Sequence, residues 1–475
     1  MTKELRLHLL ALPLALMGLV VGVLLIWFDP VAIAKQQPTS SIARGSVGTP
    51  GPPVPLAVAL TADELEVVRT LAPLGDPPDD PTNQHEGNSL AARLGHSLFF
   101  DTRLSSNNAI SCATCHDPHM RFADGRDTAR ALGVGTRNTP TLLNVAHQRW
   151  FTWDGRDDSM WAQALEPIEA PLEMGSNRVA VARLIQGDSP YRTAYERVFG
   201  PLPPLDQNRI GGPRIPEAAR PPRLDVVDMN DDPLADAWLG MRELDRDRID
   251  RVFANVGKAL AAYQRLLRDD DSPFDGFVRG LSKDGTTTTS PLSASELEGL
   301  RLFVGKAGCI RCHNGPMFSD GEFHNIGAPV PGGGPPRDPG RYEGIQLLKK
   351  NPFRAAGRFS DAPESSRAVI SEALVNSPEN WGAFRTPSLR NVAGTAPYMH
   401  AGQLATLEDV VEFYSTLKGA TQLDHHQAAL LEPLNLTQSE KDDLVAFLRT
   451  LSGSGPRNEE LLRAPSGPLG PVLGQ

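Results

Sequence analysis

The sequence predicts a mainly α-helical protein with two domains. Polar pairs with the spacing of helix capping boxes precede apolar residues at helical spacing in several places, whereas strand patterns are sparse. A chain of 475 residues exceeds what one compact core usually holds. All four cysteines fall in two widely separated copies of one short motif, which suits one copy per domain.

The N-terminus has the pattern of an export segment. Arg6 precedes an apolar run from Leu7 to Phe28, and the small-x-small sequence Ala32-Ile33-Ala34 follows. Residues 1–34 are therefore predicted to be a signal peptide or, because the run is long enough to span a bilayer, an N-terminal membrane anchor. Either alternative places the remaining chain in the periplasm, soluble or tethered. Residues 35–60, rich in Pro, Gly and Ser, are expected to form a flexible linker.

The predicted helices follow in chain order, three of them beginning with a capping box and all of them carrying an apolar stripe. They are a helix after Thr61 with Glu64, a helix from Leu90 to Phe99, a helix from Ile249 to Leu267, a helix after Ser293 with Glu296, and a final helix after Thr437 with Glu440.

The domain limits follow from these elements and from two long segments that have the composition of loops. Residues 61–290 are expected to form an N-terminal domain, residues 291–455 a C-terminal domain, and residues 456–475 a disordered tail. The segments from Pro201 to Pro233 and from Ala328 to Pro363 are interpreted as loops or insertions.

The net charge restricts the class of partner. A formal charge of −10 at pH 7 excludes nucleic acid as an expected partner, because such binding depends on clustered Lys and Arg. A cationic redox protein is compatible with it.

The two cysteine motifs have the spacing of c-type haem attachment sites. Two thiols one helical turn apart can each form a thioether with a haem vinyl group, and the next residue then offers an imidazole to the iron. A four-cysteine zinc site and two disulfides are the alternatives, but neither requires a histidine directly after both pairs. The motifs are Cys112-Ala113-Thr114-Cys115-His116 and Cys309-Ile310-Arg311-Cys312-His313.

Further motifs resemble those of the bacterial di-haem cytochrome c peroxidase and MauG family, in the same order and from about Leu94 to Leu451. The resemblance implies two cytochrome c-like domains, each binding one covalently attached c-type haem. It is carried by Arg137 to Asn144, Trp153-Asp154-Gly155-Arg156, Gln163, Glu173-Met174, Phe323 to Gly327, Thr386 to Val392, and Ala396 to His400.

The resemblance implies that the haem at the first motif, with His116 as its proximal ligand, reacts with peroxide. Glu173 matches the family's distal acid–base and Gln163 a glutamine of the same pocket; alone, Glu173 would be read as a solvated surface carboxylate. Trp153 matches a tryptophan between the two haems, although it would also suit a core position.

The resemblance also implies a calcium site between the domains. Asn138, Thr395 and Pro397 match positions that supply its oxygen ligands, and hard oxygen donors suit Ca²⁺. Without the family, Asn138 would simply be a turn residue.

Two departures from the pattern of the peroxidase members indicate the MauG-like branch of this family. Peroxidase members have a histidine that caps the first iron until the second haem is reduced, and the corresponding residue here is Arg130. Peroxidase members also have a methionine as sixth ligand of the second iron, whose position here is Tyr414, as in MauG-like members. Tyr414 and His313 would then be the two axial ligands of the second iron. Met399 is the alternative to Tyr414 as the sixth ligand.

Three functions therefore stay open. The first is an enzyme that scavenges H₂O₂ with electrons from a small redox protein. The second is a MauG-like enzyme that oxidises a side chain of a partner protein, and the third is a non-catalytic di-haem electron carrier. The pair Gln163 and Glu173 favours the enzymes.

Overall fold

A computed structural model of the chain describes residues 54–55, 60–205, 215–223, 232–281, 289–330, 332–334, 337–421, 431–467 and 469. All of them belong to one compact unit, residues 50–475. The predicted signal peptide or anchor, residues 1–34, lies outside the described residues. Within the described ranges, no helix combines the length and apolarity needed to cross a membrane.

The described chain is mostly helical, as predicted, with four two-residue strands in two antiparallel pairs, β1 with β2 and β3 with β4. The helices are α1 Ala62–Arg69, α2 Ser89–Phe99, α3 Cys112–Cys115, α4 Met160–Gln163, α5 Glu166–Glu169, α6 Arg178–Gly187, α7 Ser189–Phe199, α8 Pro233–Leu239, α9 Glu243–Gln264, α10 Pro273–Gly280, α11 Ala294–Val304, α12 Arg341–Lys350, α13 Ser366–Ala373, α14 Leu407–Thr416 and α15 Gln438–Arg449; the strands are β1 Val54–Pro55, β2 Thr289–Ser290, β3 Phe323–His324 and β4 Phe384–Arg385.

The three predicted capping boxes are confirmed as helix starts. At α1, the Glu64 amide donates to Thr61 Oγ1 at 3.2 Å and the Thr61 amide donates to the Glu64 carboxylate at 2.7 Å. Ser293 with Glu296 and Thr437 with Glu440 close the same pair of bonds at α11 and α15. Each box satisfies two amides that the first helical turn leaves without partners.

Each half of the molecule has a core built on two helices that cross at a glycine. A Cβ on Gly95 of α2 would lie 1.9 Å from the Ala259 carbonyl oxygen of α9, and a Cβ on Gly299 of α11 would lie 1.9 Å from the Asp443 carbonyl oxygen of α15. Only glycine permits backbones to approach this closely. The two crossings hold the helices against which the cysteine motifs pack.

The two cores exchange segments across the predicted boundary at residue 290. Val68 of α1 and Phe274 of α10 belong to the second core, although both precede the boundary. Phe353 and Phe359, which follow it, belong to the first core. Burial of apolar surface depends on position in space, so the cores need not follow the order of the chain. β1, which lies within the predicted linker, likewise pairs with β2.

The segment from Ala328 to Pro363 is not only a loop, contrary to the prediction. It contains α12, whose Ile345 and Leu348 are buried. A Cβ on Gly344 would lie 2.2 Å from the Asp154 carbonyl oxygen, so this helix packs directly on a motif segment of the first half. The Gly- and Pro-rich residues beside α12 concealed its apolar spacing. The segment from Pro201 to Pro233 lies partly outside the described residues.

The predicted disordered tail is wrong for residues 456–467. A short 3₁₀ helix, Glu459–Leu462, places Leu461 in the first core with 3% of its surface exposed. Tyr263 donates a hydrogen bond from its hydroxyl to the Leu461 carbonyl at 2.6 Å, and a ring nitrogen of His96 lies 2.9 Å from the Arg463 carbonyl. A tail this short has no periodicity that signals such packing.

Leu461→Ala should lower the free energy of unfolding by about 2–4 kcal/mol, because it removes a fully buried side chain and leaves a cavity. Chemical denaturation monitored by circular dichroism would measure the change. Leu239→Ala is the control, since Leu239 is 56% exposed. Equal effects of the two substitutions would mean that the tail does not contribute to the core.

Candidate haem and peroxide site

The first cysteine motif is a single helical turn that ends in an oriented histidine. α3 brings Cys112 and Cys115 onto one turn, and His116 follows as its C-cap. His116 Nδ1 lies 3.0 Å from the Phe122 carbonyl oxygen, and Phe122 adopts a left-handed φ of 57°. This bond occupies Nδ1 and leaves Nε2 for a metal ion, the arrangement that fixes most metal-binding histidines.

The second motif repeats this arrangement. Cys309–Arg311 form a 3₁₀ turn, and His313 Nδ1 lies 2.9 Å from the Phe318 carbonyl oxygen. Phe318 also has a left-handed φ, 50°. Both histidines are therefore oriented as iron ligands by a carbonyl five or six residues further along the chain.

The cysteines suit thioether bonds better than the two alternatives. None of the four forms a disulfide. Burial raises the pKa of both Cys112 and Cys309 to about 12, so both thiols are neutral at pH 7. Among the described residues, the one group of three potential metal-binding side chains combines Cys312 with Asp320 and His324, not with the other cysteine pair.

A cavity of about 510 Å³, counted with its open mouth, lies over the first motif. The sequence-predicted residues Gln163 and Glu173 line it together with the motif, and the side chains present fit a largely apolar planar group. The lining residues are Phe99, Ile110, Ser111, Cys112, Cys115, His116, Ala131, Leu142, Gln163, Ala164, Pro167, Glu173, Met174 and Gln264.

Glu173 is the acidic side chain of this cavity, and its environment gives it a near-neutral pKa. Burial and, to a smaller extent, the charge of Glu166 raise its pKa to about 7, against the opposing effect of Arg156. A carboxyl group with such a pKa can both accept and donate a proton near pH 7. Gln163, at the end of α4, adds amide hydrogen-bonding groups to the same wall.

Trp153 lies where segments of the two halves meet. Its indole Nε1 donates to the Asn138 carbonyl at 2.8 Å, and its own carbonyl accepts from the Arg385 amide at 2.8 Å. Its ring centroid lies 6.5 Å from that of His400, which stacks on Phe384 at 3.7 Å. Trp153 is thus held rigidly among residues of both sequence halves.

Asn138 is beside the segment that contains Thr395 and Pro397. Its amide N–H donates to the His400 carbonyl at 2.8 Å. Its side-chain Nδ2 donates to the Arg126 carbonyl at 2.7 Å, which leaves Oδ1 as the oxygen available to a cation. These oxygen donors fit the chemistry of calcium, and the calcium site stays a prediction.

A buried ion network holds the Trp153 segment in place. Asp154 is fully buried and pairs with Arg137 at 2.7 Å and with Arg156 at 2.6 Å. Arg137 continues to Asp338 at 2.8 Å. The two guanidinium groups hold the pKa of Asp154 well below its usual range, against the opposing effect of burial.

Tyr414 and Arg130 take positions that bear on the predicted branch. Burial raises the pKa of Tyr414, and the charges of Cys309 and Cys312 raise it further, so the phenol is close to the second motif. Arg130 is largely exposed and pairs with Asp127 at 3.2 Å. In the described part of the chain, the cavity over the first motif is lined by no histidine except His116.

Sequence reasoning missed Gln264 of α9 and the carboxyl pair formed by Asp157 and Glu166. Gln264 lines the cavity, and its Oε1 has no hydrogen-bond partner. Asp157 is buried with Glu166 as a side-chain partner. Gln264 is distant from the motifs in sequence, so only the packing of α9 against α2 brings it there.

The fold and the two oriented histidines define a di-haem protein of the cytochrome c type, and comparison with known proteins agrees. Residues 89–220 match the family described as di-haem cytochrome c peroxidase. The cytochrome-c peroxidase IdrP2 of Denitromonas iodatirespirans is 34% identical over 77% of this chain and 83% of its own length. The methylamine utilization protein MauG of Methylorubrum extorquens is 33% identical over 75% and 77%, respectively.

Two solved structures share the fold. A MauG-like protein associated with microbial copper homeostasis superposes with a TM-score of 0.57 at 24% identity, covering 83% of this chain and 97% of that one. The diheme peroxidase BthA of Burkholderia thailandensis gives a TM-score of 0.54 at 23% identity, covering 85% and 92%. The chain therefore belongs to the di-haem cytochrome c peroxidase and MauG family of oxidoreductases.

Arg137→Gln should lower the free energy of unfolding by about 2–3 kcal/mol, because it removes a charged hydrogen-bond partner from buried Asp154. Because the pKa of Asp154 is depressed in the folded state, this stabilisation is fully present above the usual carboxyl pKa and is lost as the pH falls towards the folded value. Denaturation curves at several pH values would measure it.

Arg130→Gln is the matched control, since it removes an arginine from an exposed ion pair and should change the stability little. A variant Arg137→Gln as stable as this control at pH 7 would contradict the structural role of the network.

Proposed function

We propose that the protein is an exported peroxidase that uses H₂O₂ at the haem attached to Cys112 and Cys115. The observation that carries the proposal is a single cavity in which a carboxyl group with a near-neutral pKa, Glu173, faces the cysteine motif and its oriented histidine. A non-catalytic electron carrier would have no use for a buried proton-transfer group there.

In this mechanism the chain's own groups move the proton and orient the substrate. The haem iron, when bound, supplies the electrons for O–O cleavage. A Glu173 carboxylate oxygen accepts the proton from one oxygen of H₂O₂ and returns it to the other, which then leaves as water. The Gln163 amide fixes the orientation of the peroxide by hydrogen bonding, and the apolar lining, including Phe99 and Leu142, excludes bulk water.

Cys309 and Cys312 would hold the second haem, and His313 and Tyr414 would offer a nitrogen and an oxygen donor to its iron. When bound, this group would supply a second site for oxidising equivalents. Trp153 supports this proposal because it is held between segments of both halves, which suits a stepping stone for electron transfer. A tyrosine ligand favours ferric and higher oxidation states, whereas a methionine raises the reduction potential.

The second candidate function is oxidation of a side chain in a partner protein. It differs from peroxide scavenging, in which a small redox protein is the electron donor. Tyr414, beside the second motif, favours this candidate because a tyrosine ligand would stabilise ferric and higher oxidation states. The outward ion pair of Arg130 favours it because this side chain leaves the first site open without prior reduction. The proposal includes periplasmic location, through residues 1–34, and a Ca²⁺ ion held by Asn138, Thr395 and Pro397.

Glu173→Gln should slow the reaction with stoichiometric H₂O₂ by roughly 100-fold, because an amide cannot accept the proton. In the unsubstituted protein the rate should rise with pH through about 7 as Glu173 ionises, and the variant should lose this dependence. Stopped-flow absorbance of the fully ferric protein at several pH values measures both effects.

Glu408→Gln serves as control, since Glu408 pairs with Arg449 on the surface of α14 and α15. An unchanged rate and pH profile in Glu173→Gln would remove Glu173 from the mechanism. Failure of the unsubstituted holoprotein to react with peroxide would refute the proposed function itself.

Tyr414→Phe should raise the midpoint potential of the second haem and change its ferric spectrum, because it removes an anionic oxygen ligand. Potentiometric titration with electron paramagnetic resonance measures both quantities. Tyr398→Phe removes a hydroxyl that donates to the Val392 carbonyl, and it should leave the spectrum unchanged. A spectrum altered by Met399→Leu in place of Tyr414→Phe would assign the ligand to Met399.

A further inference from the structure

Asp157 is buried in a way that only a neutral acid satisfies. It is 1% exposed, and its Oδ1 accepts a hydrogen bond from Asn351 Nδ2 at 3.0 Å. Its Oδ2 is buried and has no hydrogen-bond donor in the structure. Besides Asn351, its carboxyl group contacts the side chain of Glu166, which offers only acceptors when ionised. A proton on Oδ2 would turn this contact into a hydrogen bond.

The charges around the pair agree with one shared proton. Glu166 accepts a hydrogen bond from Arg156 at 3.0 Å. The pKa of Asp157 is raised well above its usual range by burial and by the charges of Glu166 and Asp158, against the effect of Arg156. Two carboxyl groups this close do not both ionise readily, so a single proton resides between them.

The pair also lies between solvent and Glu173. The Glu166 side chain is 39% exposed, and the next residue, Pro167, lines the cavity that contains Glu173. The charge of Glu166 acts directly on the pKa of Glu173. Glu173 is half-buried in this cavity, and a neighbouring carboxyl group would give its proton a route to solvent.

The overall reaction requires such an exchange. Reduction of one H₂O₂ to two waters consumes two electrons, which the redox donor supplies, and two protons, which must come from solvent. Glu173 alone only moves a proton between the two oxygens. We propose that Asp157 and Glu166 form a proton-sharing carboxyl pair that delivers protons to Glu173 and is refilled from solvent through Glu166. This inference rests on the proposed function of Glu173.

The transfer balances without any further reactant. An O–H bond of the pair breaks, its proton passes to the Glu173 carboxylate, and a proton from solvent restores the pair at Glu166. Glu166 and Asp157 are positioning and relay residues, since neither lines the cavity itself.

Infrared spectroscopy of the holoprotein tests the protonation of the pair independently of activity. Because Glu173 has a pKa of about 7 and is itself partly protonated at pH 7, the spectra are recorded in a Glu173→Gln background. In that background the C=O band of a neutral carboxylic acid should be present at pH 7 and should shift in D₂O, and adding Asp157→Asn should abolish it. Asp101→Asn is the matched control, because the Arg103 guanidinium holds the pKa of Asp101 below its usual value against the effect of burial. Absence of the band in the Glu173→Gln background, or its persistence when Asp157→Asn is added, would overturn the shared proton.

The relay is tested separately by the kinetics of Glu166→Gln, which keeps the size of the side chain. This variant still tests the proposal if Asp157→Asn does not fold. We expect the reaction with H₂O₂ to slow roughly tenfold at pH 7 and the rate to be restored by a small weak acid such as imidazolium, because Glu166 is partly exposed. An unchanged rate and solvent isotope effect would refute the relay. If the infrared band is present but the unsubstituted protein does not react with peroxide, the proposed function fails while the proton-sharing pair stands.

Discussion

Two hydrogen bonds from imidazole Nδ1 to a main-chain carbonyl determine what each half of this protein can bind. His116 and His313 are each oriented by a phenylalanine carbonyl at about 3 Å, and each phenylalanine adopts the left-handed backbone conformation. That conformation is uncommon for a bulky residue, and it turns the chain back so that the carbonyl faces the ring. The phenylalanine side chains, Phe122 and Phe318, are at the same time fully buried in the two cores. Core packing therefore stabilises the strained turn, and the turn fixes the histidine.

A second repeat of backbone conformation occurs further along the chain in both halves. Asn144 and Asn391, at the ends of the Thr-Pro-x-Leu-x-Asn segments, are both left-handed N-caps of short 3₁₀ helices. The halves differ in what surrounds the motif. The first has an open cavity with Gln163 and Glu173, whereas the second has Tyr414 close to its cysteines. The same local backbone arrangement is thus present at both sites, and the side chains around each site determine its chemistry.

The contact between the halves is polar as well as apolar. Asp154 is fully buried between Arg137 and Arg156, and Arg137 continues to Asp338 of the second half. Trp153 is bonded to Asn138 and to Arg385 of the second half. A buried ion network of this kind contributes little net stability, but it penalises any displacement that leaves a charge unpaired. It is therefore suited to holding an electron-transfer side chain at a fixed position.

The sequence by itself determined three helix starts, the two histidine-bearing motifs and, through the family resemblance, Gln163 and Glu173 of the first cavity. Capping boxes and cysteine spacings act over three or four residues, so their geometry is encoded locally. Tertiary structure alone decided which core receives α1, α10 and the tail, because burial depends on spatial neighbours. It also decided that Gln264 reaches the cavity and that Asp157 meets Glu166. The charge state of a buried carboxyl group depends on the groups packed around it, and these come from segments that no local pattern connects.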